Sequence, residues 1–231
     1  RQQPARSLDN AKDLEHLRSM FPDFDDVMGS GQLDYRTRCR RDANFAGSFR
    51  IPPVVEPVRA FREHGNSVDA VSWGPEPGHF LSASHDSTLK LWNAENGRCV
   101  KTLQGHLAGV YHCTVSPDRK LVASCGSGAR QNALIWQWPQ AEVRFSVPGH
   151  RRSVVHMAFA PDSCSVASAD VQGGVAVSDL GSGACALRRT LHLGAAHAVG
   201  FCSGDPQLLC SAGADGAMQL LDLRIHGPQP A

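Results

Sequence analysis

Regularly spaced histidines are the residues of this sequence best equipped for chemistry, because imidazole can act as a general base or a metal ligand near neutral pH. The chain has eleven histidines, and three of them, His64, His106 and His150, open similar segments. Catalysis needs a nucleophile, a base and an orienting group that converge in one pocket. The sequence contains no H-E-x-x-H, G-x-S-x-G or G-x-x-x-x-G-K-[ST] motif. We therefore expect structural histidines in a protein that is not an enzyme and that holds no metal or cofactor.

The segments that begin at these histidines share one order of strand and turn residues. A valine follows each histidine by four residues and a proline follows it by eleven. The markers at the segment ends, Trp92, Trp136, Ser178 and Leu221, are spaced by 44, 42 and 43 residues. In the first segment, alternating residues over 68–71, 80–83, 88–92 and 100–103 predict four short strands. Four strands in roughly 40–45 residues is typical of one blade of a β-propeller, so we expect an all-β fold.

The segments resemble the repeats of the WD40 family from about Val58 to Arg224. The Gly-His pair is present in the second and third segments, and the first has Glu63-His64 in its place. The closing Trp-Asp pair is divergent, and no segment keeps both residues. The resemblance implies a WD40-type propeller with four recognisable blades that form an incomplete ring. Their expected bounds are about 58–98, 99–140, 141–182 and 183–224, after an N-terminal extension over 1–57.

In this family a buried His, Ser or Thr, Asp and Trp form a hydrogen-bonded network. The resemblance implies a complete network in the first blade only, formed by His64, Ser84, Asp86 and Trp92. The other blades are expected to be less rigid, because each missing member leaves a buried polar group in need of another partner. The expected structural members there are His106 with Trp136, His150, and Asp215, whereas the corresponding positions hold Arg130 in the second blade, Gln172 and Ser178 in the third, and no clear histidine in the fourth.

The number of blades raises the question of how the ring closes. WD40 rings usually contain seven blades, sometimes six or eight, and open blades expose strand edges and apolar faces. The strand expected at Pro57–Phe61, before His64, has no partner blade in the sequence. Three explanations stay open: the chain is part of a longer one, a partner completes or caps the ring, or four blades form a small ring.

The first 57 residues do not share the repeat. Ser7 is a candidate helix N-cap, and Leu8, Ala11, Leu14, Leu17 and Phe21 follow in an amphipathic pattern that Pro22 ends. We expect one short docking helix, which packs on the propeller or on a partner. For the basic cluster at Arg36, Arg38, Arg40 and Arg41 we expect a solvated linker, and the alternatives are a contact for a phosphate backbone, a contact for an acidic protein surface, or a nuclear signal.

Propeller loops present side chains to partners from a rigid frame, and this predicts a protein–protein interaction scaffold in a multisubunit complex. Candidate contact residues, chosen because they follow the marker histidines or occupy turns, are Asn66, His85, Ala108, Ala129, Arg151 and Arg152. One alternative is a substrate receptor of a cullin-type ubiquitin ligase, because residues 208–224 resemble the WDxR box and keep Asp222 and Arg224. Another alternative is a ribonucleoprotein component that uses the cluster 36–41.

Composition limits the remaining classes. The net charge of +1 argues against a general nucleic-acid or membrane-surface binder. No apolar run approaches the ~18 residues of a membrane span. None of the eight cysteines forms a C-x-x-C pair, and most lie in strand-like runs, so we expect reduced, buried core thiols. We expect an intracellular protein, cytoplasmic or cytoskeletal, with the nucleus as the alternative.

Overall fold

The computed structural model describes residues 58–128 and 131–224, and every regular element in these residues is a β-strand. The predicted docking helix and the basic cluster lie outside the described residues. The strands form four antiparallel sheets, and each sheet follows the chain order. We call these sheets blades 1 to 4.

The strand bounds repeat from blade to blade. Blade 1 contains β1 Val68–Trp73, β2 His79–Ser84, β3 Thr88–Asn93 and β4 Cys99–Gln104. Blade 2 contains β5 Val110–Val115, β6 Leu121–Gly126, β7 Ala133–Gln137 and β8 Glu142–Ser146. Blade 3 contains β9 Val154–Phe159, β10 Ser165–Asp170, β11 Gly174–Asp179 and β12 Cys185–Thr190. Blade 4 contains β13 Ala196–Cys202, β14 Asp205–Gly213 and β15 Met218–Asp222.

The sheets are offset from the predicted repeat units. Blade 1 extends through β4, which ends at Gln104, beyond the expected boundary near residue 98. The outer strand of each four-stranded blade therefore lies just before the histidine that opens the next sequence segment. This offset links successive blades through the chain itself.

Neighbouring blades stack through apolar side chains. Leu89 and Leu91 of β3 pack with Val110 and Cys113 of β5, the inner strand of the next blade. The same two positions are filled by Ala133 and Ile135 at the junction of blades 2 and 3, and by Val175 and Val177 at the junction of blades 3 and 4. Each blade thus has a trailing face, formed by its third strand, and a leading face, formed by its inner strand.

The two terminal faces are open. Val71 and Trp73, on the leading face of β1, are 68% and 73% exposed. Met218 and Leu220, on the trailing face of β15, are 84% and 74% exposed, although their counterparts Leu89 and Leu91 are buried. Among the described residues, β1 and β13 do not form the inter-blade contact that joins the other inner strands. The four blades therefore form an open arc, and the alternative of a small closed ring is wrong for this structure.

Two further expectations need correction. Residues 58–63, which include most of the expected strand Pro57–Phe61, do not form a strand. Of the seven cysteines in the described residues, all free, only Cys113 and Cys125 are buried. Four cysteines are exposed: Cys164 lies in a turn, Cys185 on the outer strand β12, Cys202 at the end of β13, and Cys210 on the open trailing face of blade 4.

The stacked junctions should carry much of the stability of the arc. Replacing the fully buried Ile135 by Ala should lower the free energy of unfolding by about 2–5 kcal/mol, because the lost contacts leave a cavity. The matched control Val100→Ala removes an exposed side chain from β4 and should change it by no more than about 0.5 kcal/mol. Urea denaturation measures both values, and equal effects would contradict the assigned junction.

Candidate functional site

A chain of hydrogen bonds in blade 1 connects β3, β2, the loop before β1 that carries His64, and the turn after β2. The indole N–H of Trp92 donates to Ser82 Oγ at 2.8 Å, and the Ser82 hydroxyl donates to His64 Nε2 at 2.6 Å. His64 Nδ1–H donates to Asp86 Oδ2 at 2.7 Å. Every donor in this order has one acceptor, so a neutral imidazole protonated on Nδ1 satisfies the whole chain.

Asp86 is the acceptor that anchors the other end of this chain. It also accepts hydrogen bonds from the backbone N–H of Gly65 at 2.9 Å and from the hydroxyl of Thr88 at 2.7 Å. Partial burial raises the pKa of Asp86, but the hydrogen bonds from Thr88, His64 and Gly65 outweigh it and hold the pKa well below its ordinary value. Asp86 therefore fixes the loop that carries His64 to the turn after β2.

The serine of this network is Ser82, and the expectation of Ser84 was wrong. Ser84 is buried too, but its hydroxyl donates to the carbonyl of Asn66 at 3.3 Å and accepts from the N–H of Asp86 at 3.1 Å. The two serines point to the same side of β2, because side chains two residues apart in a strand share a face. The pattern of the repeat does not distinguish the two serines, but in the structure only Ser82 is hydrogen-bonded to His64.

Blade 2 keeps the network without an aspartate. Trp136 donates to Ser124 Oγ at 2.7 Å, and Ser124 lies 2.6 Å from His106 Nε2. His106 Nδ1–H donates to the backbone carbonyl of Gln131 at 3.0 Å. Burial lowers the pKa of His106 to about 4, so the ring is neutral at pH 7. The backbone carbonyl of Gln131 thus replaces the carboxylate of the turn aspartate, at whose position in the repeat the sequence has Arg130.

Blade 3 has the aspartate that we expected it to lack. His150 lies 2.7 Å from both Ser168 Oγ and Asp170 Oδ2. Asp170 comes two residues before Gln172, the position at which the repeat pattern places the turn aspartate. Asp170 also accepts from the backbone N–H of Gln172 and of Gly174, at 2.8 and 2.9 Å. The network is preserved because the carboxylate enters from the end of β10 rather than from the turn.

Blade 4 has the histidine that we expected to be absent. His192 lies 2.9 Å from Ser211 Oγ and 3.0 Å from Asp215 Oδ1. The ring is fully buried, and a side chain at Gly213 would collide with it. The serine follows the histidine by 18 residues in blades 1 to 3 and by 19 in blade 4. This spacing is the signal in the sequence that identifies His192.

The position of the missing tryptophan in blade 3 is occupied by Ser178. Ser178 is fully buried and its hydroxyl has no hydrogen-bond partner among the described residues. An unpaired buried hydroxyl costs about 1–3 kcal/mol relative to a satisfied one. Blade 3 therefore keeps the His–Ser–Asp part of the network and carries a local defect beside it.

The Ser–His–Asp order of contacts in blades 1, 3 and 4 is also the order of a catalytic triad. A nucleophilic serine must reach a substrate carbonyl, but these serines are 0–5% exposed. Ser82 also accepts the indole N–H of Trp92, so its lone pair points into the core. The arrangement can fix loops to strands, but it cannot present a nucleophile.

The loops that the histidines hold form one rim of the arc. We define the histidine rim as six exposed residues that lie on the loops carrying these histidines or, in the case of His85, on the turn that bonds to the His64 loop: Asn66, His85, Leu107, Arg151, Arg152 and Leu193. Leu107 and Leu193 each directly follow a network histidine and are 74% and 90% exposed. The sequence analysis did not predict either leucine, although an apolar residue directly after a histidine of the repeat is visible in the sequence.

The predicted contact residues of the rim differ in their surroundings. Asn66 accepts from the N–H of Ser67 at 2.8 Å, so it shapes its loop. His85 is partly exposed, lies 2.6 Å from Asp69 and contacts the ring of Tyr111 at 5.2 Å. These contacts hold His85 between blades 1 and 2.

Arg151 and Arg152 are exposed on the loop before β9. The backbone carbonyl of Arg152 accepts from the buried side chain of Asn132, and Ser153 Oγ accepts from the N–H of Gly128 at 3.4 Å. These two bonds tie the loop of blade 3 to the loop of blade 2. The backbone below the arginines is therefore fixed while their guanidinium groups face solvent. Ala108 lies nearby on the loop before β5, and Ala129 and Arg130 lie outside the described residues.

Asp222 and Arg224 pair with each other. Arg224 Nε and Nη2 lie 2.7 and 2.8 Å from the two carboxylate oxygens of Asp222, and Nη2 lies 3.3 Å from Asp205. Hydrogen bonding between them raises the pKa of Arg224 and lowers the pKa of Asp222. The guanidinium thus fastens the end of blade 4 locally.

Two histidines outside the network lie side by side on neighbouring inner strands. The rings of His112 on β5 and His156 on β9 have centroids 4.2 Å apart, and neither Nδ1 atom has a partner among the described residues. Burial lowers the pKa of His112 to about 4, with a further contribution from His156, and burial also lowers the pKa of His156. The pair is therefore neutral at pH 7.

Two kinds of feature are absent from the described residues. No three histidine, cysteine, aspartate or glutamate side chains in residues 58–128 and 131–224 come together as a metal site. No helix in the same part of the chain is long and apolar enough to cross a membrane.

The blades, the offset outer strand and the buried histidine network agree with one family of repeats. The family model described as "WD domain, G-beta repeat" matches residues 55–93 and 97–137. Residues 55–93 and 97–137 are repeats of the WD40 type. The structure adds two more blades of the same design after residue 137.

Curated relatives are WD-repeat proteins and cover part of the chain. The chain is 32% identical over 119 residues to "Cell division cycle 20.1, cofactor of APC complex" of Arabidopsis thaliana, which is 48% of this chain and 25% of that protein. It is 35% identical over 116 residues to "Nuclear distribution protein PAC1" of Arthroderma otae, which is 46% of this chain and 25% of the relative. It is 30% identical over 143 residues to "WD repeat-containing protein SL1-17" of Schistosoma mansoni, with 62% and 46% covered. The matched part thus spans about a quarter of the length of the first two relatives.

The network makes opposite predictions for two buried serines. Ser82→Ala should lower the free energy of unfolding by about 1–3 kcal/mol, because Trp92 and His64 both lose their partner. Ser178→Ala should leave it unchanged or raise it, because that hydroxyl has no partner to lose. Thermal and urea denaturation of both variants provide the test, and a greater loss from Ser178→Ala would refute the network assignment.

The histidine pair predicts how stability depends on pH. Above about pH 6.5 both the folded and the unfolded chain hold neutral imidazoles, and the full stability is present. Between about pH 6.5 and 4 only the unfolded chain binds the proton at His112, so the free energy of unfolding falls as the pH falls. The variant His112→Phe should lose less stability between pH 7 and 4.5 than the unsubstituted chain, as measured by urea denaturation. His197→Phe, at an exposed position, is the matched control and should keep the original slope.

Proposed function

We propose that this chain is a non-catalytic scaffold subunit of a larger intracellular assembly and that it binds partner proteins through the histidine rim. The observation that carries the proposal is the contrast between the buried histidine and the residue that follows it. The histidine is fixed in each blade, whereas the next residue is Gly65, Leu107, Arg151 or Leu193. A constant frame with a varied, exposed surface is the arrangement that specific recognition requires.

The relatives support the same class of function. One of them is described as a cofactor of the APC complex and another as a nuclear distribution protein. The first description is of a protein that works with a complex, and we extend only this general role to the present chain. We place the chain inside the cell on the same grounds.

The chemistry of the rim suggests a partner segment that is both acidic and apolar. Leu107 and Leu193 give exposed apolar contacts, and Arg151 and Arg152 give two positive charges on the rim between them in chain order. Arginine forms bidentate hydrogen bonds with carboxylates, so it favours an acidic side chain of the partner over a neutral one. A short motif with leucine-sized and carboxylate side chains satisfies both requirements.

The two other functions considered from the sequence have less support. The receptor hypothesis needs Arg224 to contact a ligase adaptor, but this guanidinium already pairs with Asp222 and Asp205. The ribonucleoprotein hypothesis rests on Arg36, Arg38, Arg40 and Arg41, which lie outside the described residues.

A charge reversal on the rim tests the proposal. The double variant Arg151→Glu/Arg152→Glu should weaken capture of partner proteins at least tenfold, because truncating or reversing charges that face an acidic partner costs about 2 kcal/mol or more. Affinity purification from cells, followed by quantitative mass spectrometry, measures the capture. Arg188→Glu/Arg189→Glu makes the same change of charge on the outer strand β12 and should leave capture intact. Equal capture by all three proteins would reject the rim as the binding surface.

A further inference from the structure

The side of the arc opposite the histidine rim contains a cavity between blades 2 and 3. We call this side the lower rim, and its turns in blades 1 to 3 are 74–78, 94–98, 116–120, 138–141, 160–164 and 180–184. The cavity has a volume of about 330 Å³. Its walls include the charged residues Asp118, Lys120, Arg144 and Asp179 and the buried leucines Leu121 and Leu180. Blades 2 and 3 each have a neighbouring blade on both sides, so the cavity does not depend on where the arc ends.

The preceding junction, between blades 1 and 2, shows what a turn of the lower rim binds. The ammonium group of Lys101, on the outer strand β4, donates to the backbone carbonyls of Pro139 and Gln140 at 3.4 and 2.6 Å. These two carbonyls belong to the turn between β7 and β8 of the next blade. A lysine side chain of blade 1 therefore satisfies the carbonyls that blade 2 presents on this rim.

Blade 3 repeats this turn with the same backbone hydrogen bond. In blade 2 the N–H of Ala141 donates to the carbonyl of Gln137 at 2.7 Å, and in blade 3 the N–H of Gly183 donates to the carbonyl of Asp179 at 2.9 Å. The carbonyls of residues 181 and 182 therefore correspond to the two that accept the lysine in blade 2. Residue 181 lines the cavity.

The outer strand of blade 2 does not supply a lysine to this second turn. The residue that corresponds to Lys101 is Phe145, because Lys101 pairs with Leu91 of β3 and Phe145 pairs with Ile135 of β7. The ring of Phe145 packs on the core cluster of blades 2 and 3 and lies close to Gly183, where an added Cβ would be 3.6 Å away. An apolar ring thus replaces the ammonium group, and the residue before it lines the cavity.

The blade 3 wall of the cavity also carries a negative charge. The hydroxyl and the N–H of Ser182 donate to Asp179 Oδ1 at 2.6 and 2.7 Å, and these bonds lower the pKa of the carboxyl group. Asp179 is therefore ionised at pH 7, and its Oδ2 has no partner among the described residues. Backbone carbonyls and a carboxylate oxygen are the acceptors that an ammonium group requires.

The blade 2 wall carries a positive charge that is free to bind an acid. Lys120 Nζ lies 3.9 Å from Asp118 Oδ2, so these two charges offset each other. Arg144 is exposed and forms no ion pair within the part of the chain that the structure describes. The cavity thus offers acceptors for a cation on one wall and a guanidinium group for a carboxylate on the other. Successive side chains of an extended segment point to opposite sides, so two adjacent residues of opposite charge reach both walls.

We propose that the cavity between blades 2 and 3 binds an extended segment of a partner protein through a lysine and an adjacent acidic residue. The lysine ammonium donates to the carbonyls of residues 181 and 182 and to Asp179, as Lys101 does to the corresponding carbonyls of blade 2. The acidic residue pairs with Arg144. The two buried leucines of the cavity contact the methylene stem of the lysine. This surface is separate from the histidine rim, and the proposal does not depend on which partner that rim binds.

A titration of the isotopically labelled chain with the peptide acetyl-Ala-Lys-Glu-Ala-amide, followed by NMR, tests the proposal. A peptide concentration of about 5 mM occupies most of a site whose dissociation constant is about 1 mM. The backbone amides of residues 181–183 should shift. The control peptide has norleucine in place of lysine, so it keeps the methylene stem and lacks the ammonium group. It should bind about fivefold more weakly or less, because it loses the charge interaction.

Four variants place the binding in this cavity. Phe145→Lys should abolish the shifts, because the new ammonium group takes the carbonyls as Lys101 does, whereas Phe145→Leu adds no charge and should keep binding. Asp179→Asn keeps an acceptor for Ser182 and should weaken binding about fivefold. Glu95→Gln makes the same change of charge on the corresponding exposed turn of blade 1 and should leave binding intact. Circular dichroism establishes that each variant is folded.

The outcomes separate this site from its alternatives. The absence of shifts at this peptide concentration overturns the proposal, and so does equal binding of the lysine and norleucine peptides. Shifts confined to the histidine rim also overturn it and indicate that the peptide binds there. Binding that Asp179→Asn leaves unchanged rejects the cavity even if the Phe145 variants do not fold.

Discussion

A four-stranded blade has two apolar faces, and each face must be covered by another blade. This constraint determines most of the structure. The third strand of each blade and the inner strand of the next bury their side chains together at three junctions. The same positions are exposed at the two ends, where Trp73 and Leu220 have no blade beside them. The difference lies in the neighbours and not in the residue types, so the ends have the chemistry of a junction.

The histidine network is the second requirement, and its conditions are looser than the repeat pattern suggests. In each blade a serine hydroxyl lies within hydrogen-bond distance of Nε2, and Nδ1–H needs an acceptor. That acceptor is a carboxylate from the turn, a carboxylate from the end of a strand, or the carbonyl of Gln131. Trp92 and Trp136 extend the chain of donors in two blades, and the other two form the histidine contacts without an indole. The geometry therefore survives substitutions that erase the sequence signature.

The sequence predicts the blades well because their period is long and regular, and each strand is bounded by turns. It predicts the network less well, for reasons that particular residues make clear. Ser82 and Ser84 share a face of one strand, and Asp170 and Gln172 differ by one strand period, so alternation does not separate them. Gln131 acts through its backbone, which no residue type reveals. The cysteines were misjudged because strand membership does not say which face is solvated, as the exposed Cys185 on the outer strand β12 illustrates.

A repeated fold must create a surface that is not repeated if it is to recognise a particular partner. In this fold two consecutive residues meet these two demands: the network histidine belongs to the repeated core, and the side chain of the next residue belongs to the variable surface. The histidine is held by a buried serine, and the side chain of the residue after it faces solvent, although the backbone N–H of Gly65 and of Leu193 donates to the network aspartate. Its side chain can therefore vary from glycine to leucine to arginine at little cost to the blade. Because Asn132 and Gly128 also tie the loops of neighbouring blades together, these varied side chains keep fixed relative positions across at least one junction. The stacking constraint thus supplies the rigidity, and the loops beside the histidines supply the specificity.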